Sequence, residues 1–185
     1  RLPYDPAAAR RLLAEAGYPD GFGLGMHCPN DRYVNDAAIC QAVSAQLARV
    51  GIAVELRTET KTLFFPRLRR HDVSFFLAGW SAATQDAHFT LAGVMATPDG
   101  GFYGVGNGGF YSNSRLDELA HKIEPEIDDV QRETMIREAF KIHQDEVGHI
   151  PLHQQTLAWA FSNRVRLVQL PSNFMPFKWV SLAAK

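Results

Sequence analysis

Five side chains carry most of the recognition chemistry that this sequence offers: Trp80, Gln85, Asp86, Asn107 and Tyr111. An indole and a phenol supply flat apolar area. A carboxylate and two carboxamides supply hydrogen bonds, and a small-molecule pocket needs that combination. All five fall either just after one apolar run, Phe75 to Trp80, or in the glycine-rich stretch that follows. Trp80 would serve equally well as core, and Asp86 equally well as a helix cap.

Residues suited to catalysis or metal binding are present but scattered. Gly104-Val105-Gly106-Asn107-Gly108-Gly109 matches G-x-G-x-x-G literally, yet no apolar strand precedes it and Phe110-Tyr111-Ser112-Asn113 follows where a helix should start. A loop is the expected reading. His149 and His153 flank Pro151. On an extended chain four residues span about 13 Å, too far for one ion. His143 falls on the apolar face of a helix and reads as a satisfied core residue. There is no G-x-S-x-G, and Asp86, Asp99 and Asp117 are far apart. The spacing of Cys28 and Cys40 matches no metal or redox motif. A bridge stays open, with two separate thiols the favoured reading.

A chain of 185 residues with 19 basic and 20 acidic side chains has no overall field to attract nucleic acid or an anionic membrane. No stretch approaches the roughly 18 apolar residues of a spanning helix. The first residue is Arg1, so an excised or processed piece is expected, with any targeting signal outside it.

The elements that must position the five residues alternate. Asp5-Pro6 starts a helix that Gly17 stops, and Tyr18-Pro19-Asp20-Gly21 makes a turn into a short strand from Phe22 to Cys28. A second helix spans Val34 to Val50, a strand Ile52 to Arg57, and a third helix Thr60 to Arg70 with Pro66 inside it. Phe75 to Trp80 reads as the buried central strand of an α/β sheet, a mixed sheet with flanking helices. Ligands bind at the carboxyl ends of such strands. Beyond it are expected a short helix from Asp86 to Met95 and a long loop to Gly109. A helix capped by Asn113 or Ser114 and another capped by Asp128 or Asp129 come next. Strands at 149–154 and 157–161 and an apolar tail without clear period complete the expectation.

Several segments together resemble one family. Tyr4-Asp5-Pro6, Leu12 to Phe22, Gln46-Leu47, Gly51-Ile52-Ala53-Val54-Glu55-Leu56, Gly79-Trp80, Tyr111-Ser112-Asn113, Leu116-Asp117-Glu118-Leu119 and Ile150-Pro151-Leu152 occur in an order similar to that of extracellular solute-binding proteins of family 5. These are the peptide- and nickel-type receptors of ABC importers, and the resemblance runs from about Tyr4 to Gln155. It implies a type II periplasmic-binding-protein-like lobe. Residues 1–164 would be the second lobe of a two-lobed protein, and 165–185 a tail returning to the first. It further implies a peptide-like or other small solute as ligand, held at Trp80, Gln85, Asp86, Asn107 and Tyr111. A membrane permease is the implied partner, a periplasmic or cell-surface location the implied compartment. No enzymatic activity, cofactor or metal, no nucleic acid and no direct membrane insertion are expected. The same fold also serves as the ligand-sensing domain of some cytoplasmic transcription regulators, the alternative reading. In peptide-binding members similar to this chain an aspartate follows the Gly-Trp tryptophan by three residues and pairs with the ligand's α-amine. Here Ala83 stands there, and Asp86 aligns with an Asp-Pro pair whose proline is Ala87. Losing such a charge-assisted bond costs on the order of 1.5–3 kcal/mol, which disfavours a simple free-amine dipeptide unless Asp86 substitutes.

Overall fold

The computed structural model describes residues 3–183 and falls into two compact units, Arg1–Gly79 and Trp80–Lys185. Arg1 and Leu2 and the last two residues of the tail lie outside the described residues.

Unit 1 follows its sequence signals closely. Helix α1 (Pro6–Glu15) starts where Asp5 accepts a hydrogen bond from the Ala8 amide at 2.9 Å, with Pro6 at the first helical position. Strand β1 (Phe22–Pro29), helix α2 (Asp36–Ala48) and strand β2 (Ile52–Glu59) form a βαβ unit, with the strands parallel in register from Phe22↔Ile52 to Pro29↔Glu59. Parallel pairing needs such a crossover. Before each strand lies a glycine turn: Gly21 has φ +77° and Gly51 φ +94°. A Cβ on Gly21 would stand 1.9 Å from the Gly51 carbonyl oxygen, so the two turns touch through backbone alone.

At the other end of β1, Cys28 is bonded to Cys40 of α2, both fully buried. The favoured reading of two free thiols is therefore corrected. The strand packs on the helix with the two Cα atoms 6.6 Å apart, within bridging range, and this closeness is a tertiary fact that spacing does not encode. Val43, Val54, Leu56, Phe75 and Leu77 close around the bridge and Met26. Asp36 caps the start of α2 from inside, accepting from the amides of Arg32, Tyr33 and Ala37. Burial pushes its carboxyl up, but those backbone bonds outweigh it and hold it below the ordinary value. Helix α3 (Lys61–Arg69) includes Pro66 and buries Phe64.

The expected central strand is not a full strand. Phe75 to Leu77 makes a single parallel bridge, His27↔Phe76, through His27 N–H to Phe75 O (2.9 Å) and Leu77 N–H to His27 O (3.1 Å). Ala78, Gly79 and Trp80 are exposed. The apolar run reflects Phe75 and Leu77 packing on the disulfide cluster. Burial of alternate side chains does not require a continued ladder.

Unit 2 is built on helices. Helix α4 (Ala87–Thr90) runs directly into a π-helical turn, Leu91–Met95. Helix α5 (Ser114–Ile123) is capped by Asn113 and helix α6 (Asp129–Asp145) by Asp128. Leu91, Ala96, Leu116, Leu119, Ile123 and Ala139 form the core, with Met135, Ile136 and Phe140 from α6 against it. The expected strands at 149–154 and 157–161 are absent; Pro151 has no N–H to pair, and this stretch is irregular. The tail instead forms a two-residue antiparallel pair, β3 (Val165–Arg166) with β4 (Ser181–Leu182), and a 3₁₀ turn at Phe177–Trp179. Many of its large side chains are exposed, Phe177 at 80% and Leu182 at 76%.

Candidate functional site

Trp80 opens unit 2 and lies on a seat of glycine. A Cβ on Gly93 would stand 2.6 Å from Trp80 Cζ2, and one on Gly106 3.0 Å from Cζ3. Gly93 belongs to the π turn and Gly106 to the glycine-rich loop. The loop is stitched to that turn by Gly104 N–H to Ala92 O and Gly106 N–H to Gly93 O, both 2.7 Å. A π turn bonds i to i+5, and here two of its carbonyl oxygens also accept from the loop. The G-x-G-x-x-G match is thus explained without a nucleotide: glycine lets a loop and a helix meet under an indole. Phe89 packs on Trp80 (centroids 5.6 Å) and Phe102 on Phe89 (5.0 Å). Trp80 remains 41% exposed and Phe102 also 41%. The result is an aromatic surface backed by a hydrogen-bonded loop and turn. The sequence puts Phe89 on the buried face of the short helix, and Phe102 carries no signal beyond the glycines near it.

The four polar candidates go to different places. Asn107 is buried and its amide is fully engaged: Nδ2 donates to Ala96 O (2.9 Å) and Tyr111 O (2.7 Å), and Oδ1 accepts from Tyr111 N–H (3.1 Å). It fixes the loop that carries Gly106. Tyr111 donates its hydroxyl to Glu146 (2.6 Å) and lays its ring edge-on to His143 (4.9 Å). Burial, then the Glu146 bond and charge, push its hydroxyl above the ordinary range. Gln85 is exposed, adopts φ +61°, and donates its amide to Ala82 O at 3.1 Å.

Asp86 caps α4 by accepting from His88 N–H (2.8 Å), and both its oxygens accept from Arg132 Nη2 of α6 (2.9 and 2.8 Å). Burial acts to raise this carboxyl, but the Arg132 hydrogen bond, the His88 amide and the charges of Arg132 and His88 together hold it below the ordinary value. Its charge is balanced within unit 2. Arg132 lies 46 residues away in sequence, so nothing local pointed to it.

The histidines pair differently from the sequence expectation. His149 meets His143, Nδ1 to Nε2 at 2.8 Å, while His153 is exposed. Among the described residues no group of three or more His, Cys, Asp or Glu side chains could hold a metal ion, and no helix is long and apolar enough to cross a membrane. An open groove of about 650 Å³ runs between the end of α5 and the start of α6, bordered by Lys122, Pro125, Val130 and Met135. It includes none of the five candidates.

Residues 1–102 match the model of the bacterial extracellular solute-binding proteins, family 5 middle. The chain belongs to family 5. A glutathione-binding protein GsiB from Salmonella choleraesuis is 32% identical over 172 residues, covering 88% of this chain and 32% of its own. The chain thus spans about a third of the curated relatives it matches. Among solved structures, the periplasmic binding protein DppA from Helicobacter pylori, in complex with the peptide STSA, superposes with a TM-score of 0.77 at 23% identity, covering 97% of this chain and 35% of that one. HbpA2 from Haemophilus parasuis gives 0.75 at 22%, covering 98% and 36%. These likenesses show that the chain has the α/β fold of the matching third of those proteins.

Proposed function

We propose that this chain forms the second lobe of an ABC importer's substrate-binding component, which captures a peptide-like or other small solute between two lobes and delivers it to a membrane permease. The observation that carries the reading is Trp80: a large, half-open aromatic packed closely on glycine in a chain of a solute-binding family. The indole would be one wall of the cleft, extended by Phe89 and Phe102, with Gln85 at its polar margin. Asn107 and Tyr111 belong to the same proposed site, chiefly by holding the loop behind the wall. Residues 165–185 would return to the first lobe, which fits the exposed Phe174, Phe177, Trp179 and Leu182. The compartment would be the periplasm or cell surface, in keeping with the family's extracellular description and with a buried disulfide.

The ligand class follows from charge. Ala83 offers no carboxylate, and Asp86 is already paired with Arg132. A ligand ammonium would have to displace that guanidinium. A peptide-like solute held by other groups fits better than a free-amine dipeptide. Native mass spectrometry of the full-length protein as purified, followed by calorimetry with any retained solute, tests this. The expected outcome is a retained small molecule whose affinity falls at least tenfold in Trp80→Ala. An affinity unchanged by Trp80→Ala removes the indole from the site. Tight dipeptide binding abolished by Asp86→Ala reverses the charge argument.

A further inference from the structure

His143 and His149 form a contact that the proposed function does not use. His143 stands in the last turn of α6 and is 5% exposed; His149 follows the turn that leaves the helix. Their nitrogens are 2.8 Å apart, with ring centroids 5.0 Å apart and planes within 23°. A centroid distance that long at so short an N···N separation means the rings meet edge to edge, nearly coplanar, in one N–H···N hydrogen bond. One ring must donate and the other accept. Val147 between them takes φ +52°, and Gly148 N–H donates to His143 O at 3.1 Å, closing the same turn.

Other groups face the pair from two directions. From the loop before α5 the Tyr111 ring lies edge-on to His143, its hydroxyl given to Glu146. At the C-cap of α6 Glu146 is held by Tyr111 and by Asn113, which keep its carboxyl below the ordinary value. Beyond Tyr111 stands the carboxylate of Asp117. Burial, together with His149, presses His143 down to about 4 against the pull of Glu146; burial also lowers His149.

We propose that the His143–His149 pair is an acid-operated latch fastening the chain after α6 to the last turn of that helix. One added proton leaves the N–H···N bond intact. A second makes both nitrogens donors and sets two cations edge to edge, so the bond opens and residues from Gly148 onward are released from the helix. Because both groups charge less readily when latched, the closed form is fully favoured above about pH 6.5 and loses that advantage as the pH falls toward the folded values. Opening should rise by up to tenfold per pH unit for each histidine in that window.

Hydrogen exchange of the Gly148 and Val147 amides in the full chain, corrected for intrinsic rates, measures the opening between pH 7 and 4. The expected result is an opening constant that climbs below pH 6.5 with a slope exceeding one proton, while amides in the middle of α5 stay protected. In His149→Gln the slope should fall to one proton or less. Equal slopes in wild type and His149→Gln overturn the latch, as does a common loss of protection across α5 and the turn. Should the variant not fold, the wild-type ring signals decide: titration of both histidines at ordinary values overturns it, and depressed, mutually dependent titration supports it.

Discussion

The two units hold themselves together by different means. In unit 1 the ties are backbone and covalent: a capping Asp5, a parallel ladder of strict register between strands thirty residues apart, and a bridge whose ends are 12 residues apart. In unit 2 the aromatic surface depends on contacts that bring distant residues together, Asp86 with Arg132 and Tyr111 with Glu146. Backbone pairing and a covalent bridge build a frame, and side-chain bonds shape a surface. All three tryptophans, Trp80, Trp159 and Trp179, belong to unit 2, so their emission reports that unit while far-ultraviolet dichroism reports both.

That division makes the contrast breakable. The largest effect should come from removing the bridge: the Cys28→Ala, Cys40→Ala double variant is expected to lose about 3 kcal/mol from chain entropy in a loop of this length. The loss should appear in the dichroism transition, with tryptophan emission at low denaturant unchanged. A matching red shift in emission would show that the units do not unfold separately. Next, Gly93→Ala places a methyl against the indole and should destabilise unit 2 by about 1–3 kcal/mol, with a shift in Trp80 emission and the dichroism of unit 1 retained. Asn107→Ala leaves Ala96 O and two Tyr111 backbone groups without their partner and should cost about 2 kcal/mol in the same assay. The smallest change is expected from Arg132→Ala, about 0.5–1 kcal/mol because the pair is partly solvated.

The pH dependence of that last pair sharpens the contrast further. The Asp86 carboxyl is depressed in the folded state, so its contribution is present above the unfolded value near 4 and is lost as pH falls below it. In Arg132→Ala this acid-side dependence should flatten, measured by denaturation at pH 3, 4 and 6. An unchanged profile would mean that the ion pair contributes nothing in solution.

The same division sets what could be read from sequence. Helix α1, helix α2 and strand β2 were legible because caps, stops and periods are local: Asp5-Pro6, Gly17, Gly51, and Ile52, Val54 and Leu56 on alternate positions. The run from Phe75 to Trp80 misled because half-buried side chains at Phe75 and Leu77 look the same whether the backbone pairs at one residue or at six. Among the candidate site residues, polarity after the run flagged Asn107 and Asp86, but polarity does not say which way a side chain is committed. Asn107 turned inward to its own loop, and Asp86 to an arginine 46 residues on. His149 found His143 because α6 ends in a turn that folds back, which spacing to His153 could not reveal.

The touching turns at Gly21 and Gly51 have a consequence for descent. Since a Cβ on Gly21 would collide with the Gly51 carbonyl, and the Phe22↔Ile52 pair comes immediately after, neither turn can lengthen or shift without changing the start of the ladder. Selection would therefore see two positions thirty residues apart as one heritable character. Among descendants of this chain, an insertion in either turn should be rare and matched by change in the other. The surface of helix α2, lying between them, is free to drift.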